Sequence, residues 1–457
     1  MRKTITALLP ALLAARMASA DPALTIYNQD FAVVRDTIHL DLKEGVNTIN
    51  YTGATAQLEP DSVVLRDPSG KRALQILEQN FRADPVREGL LLSYFEGKTI
   101  DFQREDAASG ATKREIVRGK IVRSGYALGQ ALQPIIEVDG KLMFQLPGRP
   151  LFPSLPDDSI LMPTLNWRLN ADQGGAVDAE LGYVTGGFSW HADYNLVAPE
   201  DTDALDLVGW VTMNNQSGKS FERAKIKLMA GDVNKIQPRM FSRSAVAEDM
   251  LQSAAAAVPP VTEKAFDDYH LYTLERPATL LDHETKQVEF VRAAGIPAKT
   301  VYVYSGGKVA VTREFYNSTT NHLGLPLPAG RMRFYRLDDD GQMEFTGEAE
   351  IDHTPQNEII RVTTGKAFDL VGERKQTDYK EDTTDKVLDE SFSIKLRNHK
   401  KKPVEIRIVE GLYRWNSWEI TAKSDDFTKT DSRTIEFRVT VPPEGERTVT
   451  YTVHYSW

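Results

Sequence analysis

The run from Tyr183 to Asp232 reads YVTGGFSWHADYNLVAP, then LDLVGWVTMNNQSGKSF, then AKIKLMAGD, and it decides the fold. Phe188, Trp190, Ala192 and Tyr194 alternate with Ser189, His191, Asp193 and Asn195, the period of two of a half-buried strand. A second alternating run, Leu205 to Met213, ends in Asn214-Asn215-Gln216-Ser217-Gly218, residues that tolerate tight turns and positive φ. A third, Ala224 to Ala230, sets Ile226, Leu228 and Ala230 between lysines. The expectation is an antiparallel meander at the centre of a β protein.

Working outward, the same alternation recurs almost everywhere. LTIYNQDFAVVRDTIHLDL and VNTINYTG flank Lys43-Glu44-Gly45, and the piece from Ser62 to Leu77 turns at Asp67-Pro68-Ser69-Gly70. Short strands at this spacing predict a β-sandwich. Between Val86 and Leu146, LLLSYFEGKTIDFQ, REIVRGKIVRSGYAL, PIIEVDG and KLMFQLPG read as four short strands of a barrel-like insertion, with Asp139-Gly140 as a hairpin turn. Strand patterns resume at Tyr269 and run to the C-terminus, with hairpins expected at Asp339-Asp340-Gly341 and from Asn398 to Pro403. The fold class is therefore all-β: tandem antiparallel β-sandwich domains with a small β-barrel-like insertion.

The expected organisation is a leader over 1–20, N-terminal sandwich strands over 21–85, and the insertion over 86–147. Central strands that pack with the N-terminal ones follow over 148–234, then a mobile linker or short helix over 235–264 and a C-terminal sandwich over 265–457. The short helix is placed around Ala245 to Ala257.

Compartment and charge narrow the function classes. Arg2-Lys3, the apolar stretch Ile5 to Ala15 and the small residues Ala18-Ser19-Ala20 before Asp21 match a signal peptide, so the chain is expected to be exported, periplasmic or extracellular. No cysteine is present, which removes disulfides, thiol catalysis and thiolate metal sites, and with them a lipid anchor on a leading cysteine. The net charge is −10, and without the leader's three basic residues it is −13, a balance that disfavours nucleic acid and anionic lipid. No later window spans a bilayer as a helix. The final strand, Val449, Tyr451, Val453, Tyr455 and Trp457, ends in an aromatic as outer-membrane strands do. The charges elsewhere make it a sandwich strand with its aromatic face buried.

Several stretches carry a family likeness: LTIYNQDFAVVRD (24–36), DAELGYVTGGFSWHADYNLV (178–197), IKLMAGDVN (226–234), LPAGRMRFYRLDDDG (327–341), IDHTP (351–355), FDLVGERKQTDY (368–379), IKLRNHKKKPVEIRIVE (394–410) and VPPEGERTVTYTVHYSW (441–457). They resemble the DUF4139 family of exported bacterial proteins. Some of its members, named after a mucoidy inhibitor, carry a long coiled coil that has no heptad counterpart here. The resemblance implies β-sandwich architecture and export. It supplies no catalytic residues, so none is carried over.

Ser189, His191 and Asp193 have the types of a hydrolase triad, but sit at i, i+2 and i+4 of one strand, roughly 6.6–7 Å apart. A triad needs contacts of about 2.6–3.2 Å. Asp338-Asp339-Asp340-Gly341 opens like a calcium loop yet has Ala349 where the twelfth-position Glu belongs, so a hairpin turn explains it. Asp282-His283-Glu284 and Asp352-His353 lack metal-ligand spacing, and no metal or cofactor is expected.

Aromatics are the better lead. Tyr413, Trp415 and Trp418 in GLYRWNSWEI are candidate binding residues for a sugar ring or partner protein, with Lys400 in the basic tip His399 to Pro403 able to meet an acidic envelope polymer. The plainer account of Trp415 or Trp418 is a plug at the end of a core. The leading reading is a non-enzymatic cell-envelope protein that binds a protein or glycan partner. Its alternatives are an envelope peptide or polysaccharide hydrolase using Asp157, Asp158 or Asp193, and a passive spacer.

Overall fold

The computed structural model describes residues 21–83, 86–106, 113–127, 130–156, 159–199, 202–231, 233–235, 261–266 and 269–457. The leader, the expected helix around Ala245 to Ala257, and Asp157 and Asp158 lie outside the described residues. Strand accounts for 64% and helix for 3%, so the chain is all-β, in several sheets with no closed barrel. No helix among the described residues is long and apolar enough to cross a membrane.

Two large cores are each enclosed by facing sheets. In the first, β1 (Ala23–Tyr27) and β2 (Phe31–Leu42) pair as a hairpin, and β3 (Gly175–Gly186) lines the other edge of β2. The central runs become β4 (Phe188–Ala198), β5 (Leu205–Asn215) and β6 (Phe221–Ala230). β6 runs parallel to β1, with Ala23 opposite Lys225 and Tyr27 opposite Met229. The facing sheet is ordered β7 (Glu284–Ile296), β5, β4, β10 (Gly330–Leu337) and β11 (Met343–Ile351), with β4 and β10 parallel.

Between β7 and β10 the chain forms β8 (Ala298–Tyr304) and β9 (Ala310–Tyr316), which belong to the second sandwich. There they share a sheet with β14 (Val404–Gly411) and β16 (Thr434–Val441). Across that core lies the sheet β12 (Leu370–Asp382), β13 (Val387–Asn398), β17 (Gly445–Ser456) and β15 (Ser417–Lys423). In β17, Val449, Tyr451, Val453 and Tyr455 are buried as the alternation requires. Trp457, expected on that same face, lies just past the strand and is 39% exposed. The two sandwiches abut where β11 passes Ile359–Lys366. There a Cβ on Gly347 would sit 1.9 Å from the Thr364 carbonyl oxygen, and φ is +147°. Only glycine fits so close an approach.

The expected meander is not formed. β4 and β5 do pair antiparallel, but β5 takes β7 on its other edge, and β6 crosses to the opposite sheet. Asn398 to Pro403 is likewise no hairpin, because β13 and β14 lie in different sheets. Both segments are arches between layers, and both turn on a buried asparagine. The Asn215 amide donates to the carbonyls of Lys219 (2.8 Å), Leu280 (3.3 Å) and Leu281 (3.1 Å), while its oxygen accepts from the Ser217 backbone N–H (3.0 Å). Asn398 donates to Lys402 (2.9 Å), Val441 (3.3 Å) and Pro442 (3.0 Å), and accepts from the Lys400 N–H (2.9 Å). A third arch, from β9 to β10, repeats the pattern. Asn317 donates to Leu325 (2.8 Å), Thr354 (3.4 Å) and Pro355 (3.0 Å), and accepts from Gly324 (3.0 Å). All three are at most 1% exposed.

The insertion departs from expectation twice. Leu90-Leu91-Leu92 belong to a helix, α1 (Glu88–Tyr94), not a strand. All three leucines are buried, whereas a strand would send alternate ones to opposite sides. The strands form an open five-stranded sheet, not a barrel, because its edge strands Lys141–Met143 and Arg149–Leu151 have three residues each and do not meet. The Asp139-Gly140 turn does form, with φ of +51° and +74°. At the ends of the stretch expected to be a mobile linker, Lys235 binds Glu59 at 2.6 Å and Val261–Phe266 pairs with Tyr269–Leu274.

Two stability predictions arise. Trp190 is 3% exposed and its indole N–H reaches the Met229 carbonyl at 3.2 Å. Trp190→Ala should lower stability by about 3–5 kcal/mol, read as a fall in denaturant midpoint. Asn398→Ala leaves buried carbonyls without donors and should cost about 3 kcal/mol; equal midpoints for Asn398→Ala and wild type would refute the pinning role.

Candidate functional site

At one end of the second sandwich, Leu412 to Asn416 connects β14 to β15. Leu412 is buried and seals the core, which leaves the next residues to project. Tyr413 is 68% and Trp415 44% exposed. The Trp415 ring stacks on Trp457, with centroids 5.0 Å apart and planes at 19°, so two indoles distant in sequence form one shelf. The Arg414 guanidinium sits 5.5 Å from the Tyr413 ring and 6.0 Å from that of Tyr379, and donates to the buried Glu390 at 2.9 Å. Asn416 accepts from Arg433 beside it. Trp418 is different. It packs against the second core, its N–H bonds the Ser432 carbonyl at 2.9 Å, and the Lys429 ammonium lies 4.5 Å over its ring.

Tyr413 and Trp415 are thus together, Trp418 is largely structural, and Lys400 lies elsewhere. Trp415 and Trp457 sit where Val387 faces Ser456, whereas Lys400 follows Asn398, which faces Gly445. That is the length of β13, about 36 Å at roughly 3.3 Å per residue. Lys400 instead lines a cleft of about 580 Å³ between the sandwiches, its ammonium 3.1 Å from the Tyr302 hydroxyl and 5.0 Å from that ring's centre. Sequence reasoning missed Trp457, which stacks on Trp415, and Tyr379, whose ring faces Arg414. The parity of β17 assigns Trp457 to the core, and only the point at which the partner strands stop reveals otherwise.

The residues with catalytic types are held in internal contacts. The Ser189 hydroxyl accepts from Asn214 at 3.3 Å. His191 and Asp193 do touch, at 3.1 Å, closer than strand spacing suggested, because both side chains lean along the strand. Asp193 also accepts from the Thr212 hydroxyl (3.1 Å) and faces Arg333 (3.5 Å). Burial raises the Asp193 carboxyl, but the hydrogen bond and charge of His191, with Thr212 and Arg333, outweigh it and hold the group below its ordinary value. Glu410, also buried, is bound by Arg374 (2.8 Å) and the Tyr451 hydroxyl (2.5 Å). Burial and the Glu410 charge push that phenol well above its ordinary value, so it stays a donor.

The acidic turns are likewise engaged locally. Asp282 accepts from the Gly218 N–H, Glu284 from the Leu281 N–H, and the His353 ring from the Ala329 N–H. Asp338 closes its hairpin through backbone bonds with Gln342 and Gly341. No three metal-ligating side chains converge among the described residues.

A family model described as a domain of unknown function (DUF4139) matches residues 179–457. The matched part is more than half of the chain and contains the shelf, the Asp193 cluster, Lys400 and all three asparagine arches; the insertion lies outside it. No curated protein matches the chain.

The Asp193 contacts predict a pH signature. A carboxyl held below its unfolded value of about 3.9 stabilises the fold above that value, and the contribution is lost as pH falls through the lower native value. The stability gap between wild type and Asp193→Asn should be full above about pH 5 and shrink below pH 4. A gap independent of pH in chemical denaturation would show that the charge plays no part.

Proposed function

The chain belongs to the DUF4139 family, whose description names no activity, and from that premise we propose that it is an exported, non-enzymatic binding protein of the cell envelope that holds a glycan on its aromatic shelf. The observation that carries this reading is the Trp415–Trp457 stack, two partly exposed indoles packed face to face, two residues along the chain from the exposed Tyr413. Such a surface offers an apolar face to the C–H side of a sugar ring. Arg433 and Asn416 beside it, and Arg414 with Glu390, supply donors and acceptors for hydroxyl groups. Export rests on the basic start, apolar run and small-residue site of the first twenty residues.

The hydrolase alternative has less to draw on, since Asp193, Glu390 and Glu410 are each paired with an arginine, Asp193 and Glu410 also with a hydroxyl and Glu390 with the Gln376 amide. A general acid or base has to be free to exchange a proton with a substrate.

The test is affinity electrophoresis of the purified protein through gels containing wall or surface polysaccharide. Retention should appear with wild type and weaken about tenfold or more in Trp415→Ala, with unfolding midpoints unchanged because the residue is exposed. Free migration in every gel, with one protein recovered by cross-linking at Trp415 in cells, would replace the glycan by a protein partner. Turnover of a polysaccharide by the purified protein would defeat the non-enzymatic reading.

A further inference from the structure

We propose that the cleft containing Lys400 is a second and separate binding site, for a small organic oxyanion carrying a carboxylate or phosphate on a body of about sugar size. This goes beyond the shelf and does not depend on it. The cleft is open between the two sandwiches, with the outer ends of β8 and β9 as its floor. Thr202-Asp203 and Arg336 of β10 wall one side, and the arch that leads into β14 walls the other. Its volume of about 580 Å³ lies within the range of roughly 300–1,000 Å³ usual for ligand pockets, more than an inorganic ion alone requires.

The charge balance of the cleft opposes that of the chain. In a protein of net charge −10, Lys299, Arg313, Arg336, Lys400 and Lys402 converge on a space to which the described residues bring two carboxylates, Asp203 and Glu405. Both carboxylates are engaged. Asp203 binds Arg313 at 3.1 Å and the Thr300 hydroxyl at 2.8 Å, and Glu405 faces Lys299 at 3.6 Å. Arg336, Lys400 and Lys402 then line the cavity with no carboxylate partner among the described residues.

The three differ in how they are held, and the differences suit an oxyanion. The Arg336 guanidinium is braced by the carbonyls of Pro199 and Thr202, each at 3.3 Å, which uses two donors and leaves the rest of its planar fork available. Lys400 is steadied by the face and hydroxyl of Tyr302, and because it donates to that oxygen, the phenolic O–H is left to donate into the cleft. Lys402 has no ion pair with any described residue and stands exposed at the mouth. Like charges gathered in a partly enclosed space raise the local potential and repel one another until an anion enters. The Asn398 arch fixes both lysines, since its amide bonds the Lys402 carbonyl and its oxygen takes the Lys400 N–H.

Titration calorimetry of the purified protein with three probes tests the site: galacturonate for the carboxylate, glucose 1-phosphate for the phosphate, and glucose as the neutral control. One or both charged probes should bind, glucose should not, and binding should weaken steeply from about 20 mM to about 0.5 M salt. Lys402→Glu, at an exposed position that leaves the fold alone, should weaken binding about tenfold. Arg336→Gln should do the same, and Trp415→Ala should change nothing here whatever it does at the shelf. A preference between the two charged probes names the group. Heat of equal size from glucose, or charged probes that bind neither wild type nor bind it more tightly than Lys402→Glu, would overturn the assignment.

Discussion

Where the chain leaves one sheet for another at Asn215, Asn317 and Asn398, it carries buried peptide groups through the rim of a core, beyond the reach of either ladder. Buried carbonyls left without donors would cost as much as the packing returns. Asn215, Asn317 and Asn398 each meet this demand with one amide, which donates to its own arch and to two carbonyls of a neighbouring loop. The sheet order depends on these crossings. β6 can lie beside β1 only because the Asn215 arch delivers it there, and β14 reaches β16 only through the Asn398 arch.

The same constraint distributes the surfaces through which the protein can meet other molecules. The Asn398 arch presents Lys400 and Lys402 to the space between sandwiches, whereas the far end of the same strands presents the stacked indoles. Because β13 and β17 are paired along twelve residues, the two ends are held apart by a rigid ladder. One end gathers cationic side chains and the other exposed aromatic ones. Between them the ionisable groups of the second core, Arg374 with Glu410 and Arg414 with Glu390, neutralise each other.

The period-two alternation made the strands legible, and it correctly placed Trp190 and the buried face of β17. Connectivity was harder to read, because an arch and a hairpin share the same turn residues. Asn214-Asn215-Gln216-Ser217-Gly218 signals that the strand ends and is silent on which layer comes next. Burial of an arch asparagine depends on carbonyls such as Leu280 or Val441 that lie some 40 to 65 residues away. α1 was misread because a triple leucine has no period. Tyr413, Trp415 and Trp418 were legible as aromatics in a turn, but not which tryptophan plugs the core and which projects; Trp457 joins Trp415 only through tertiary placement, and the separation of Lys400 follows from strand length alone.

The parallel pairing of β1 with β6 bears on the order in which the molecule can assemble. β1 has its second neighbour at Lys225–Met229, about 200 residues further along the chain. Until that segment is made, the early hairpin keeps a bare edge of apolar Leu24 and Ile26, open to pairing with any other extended chain. Closing so long a loop precedes the contacts that reward it, so assembly is expected to be slow, while the locally paired insertion can form ahead of it.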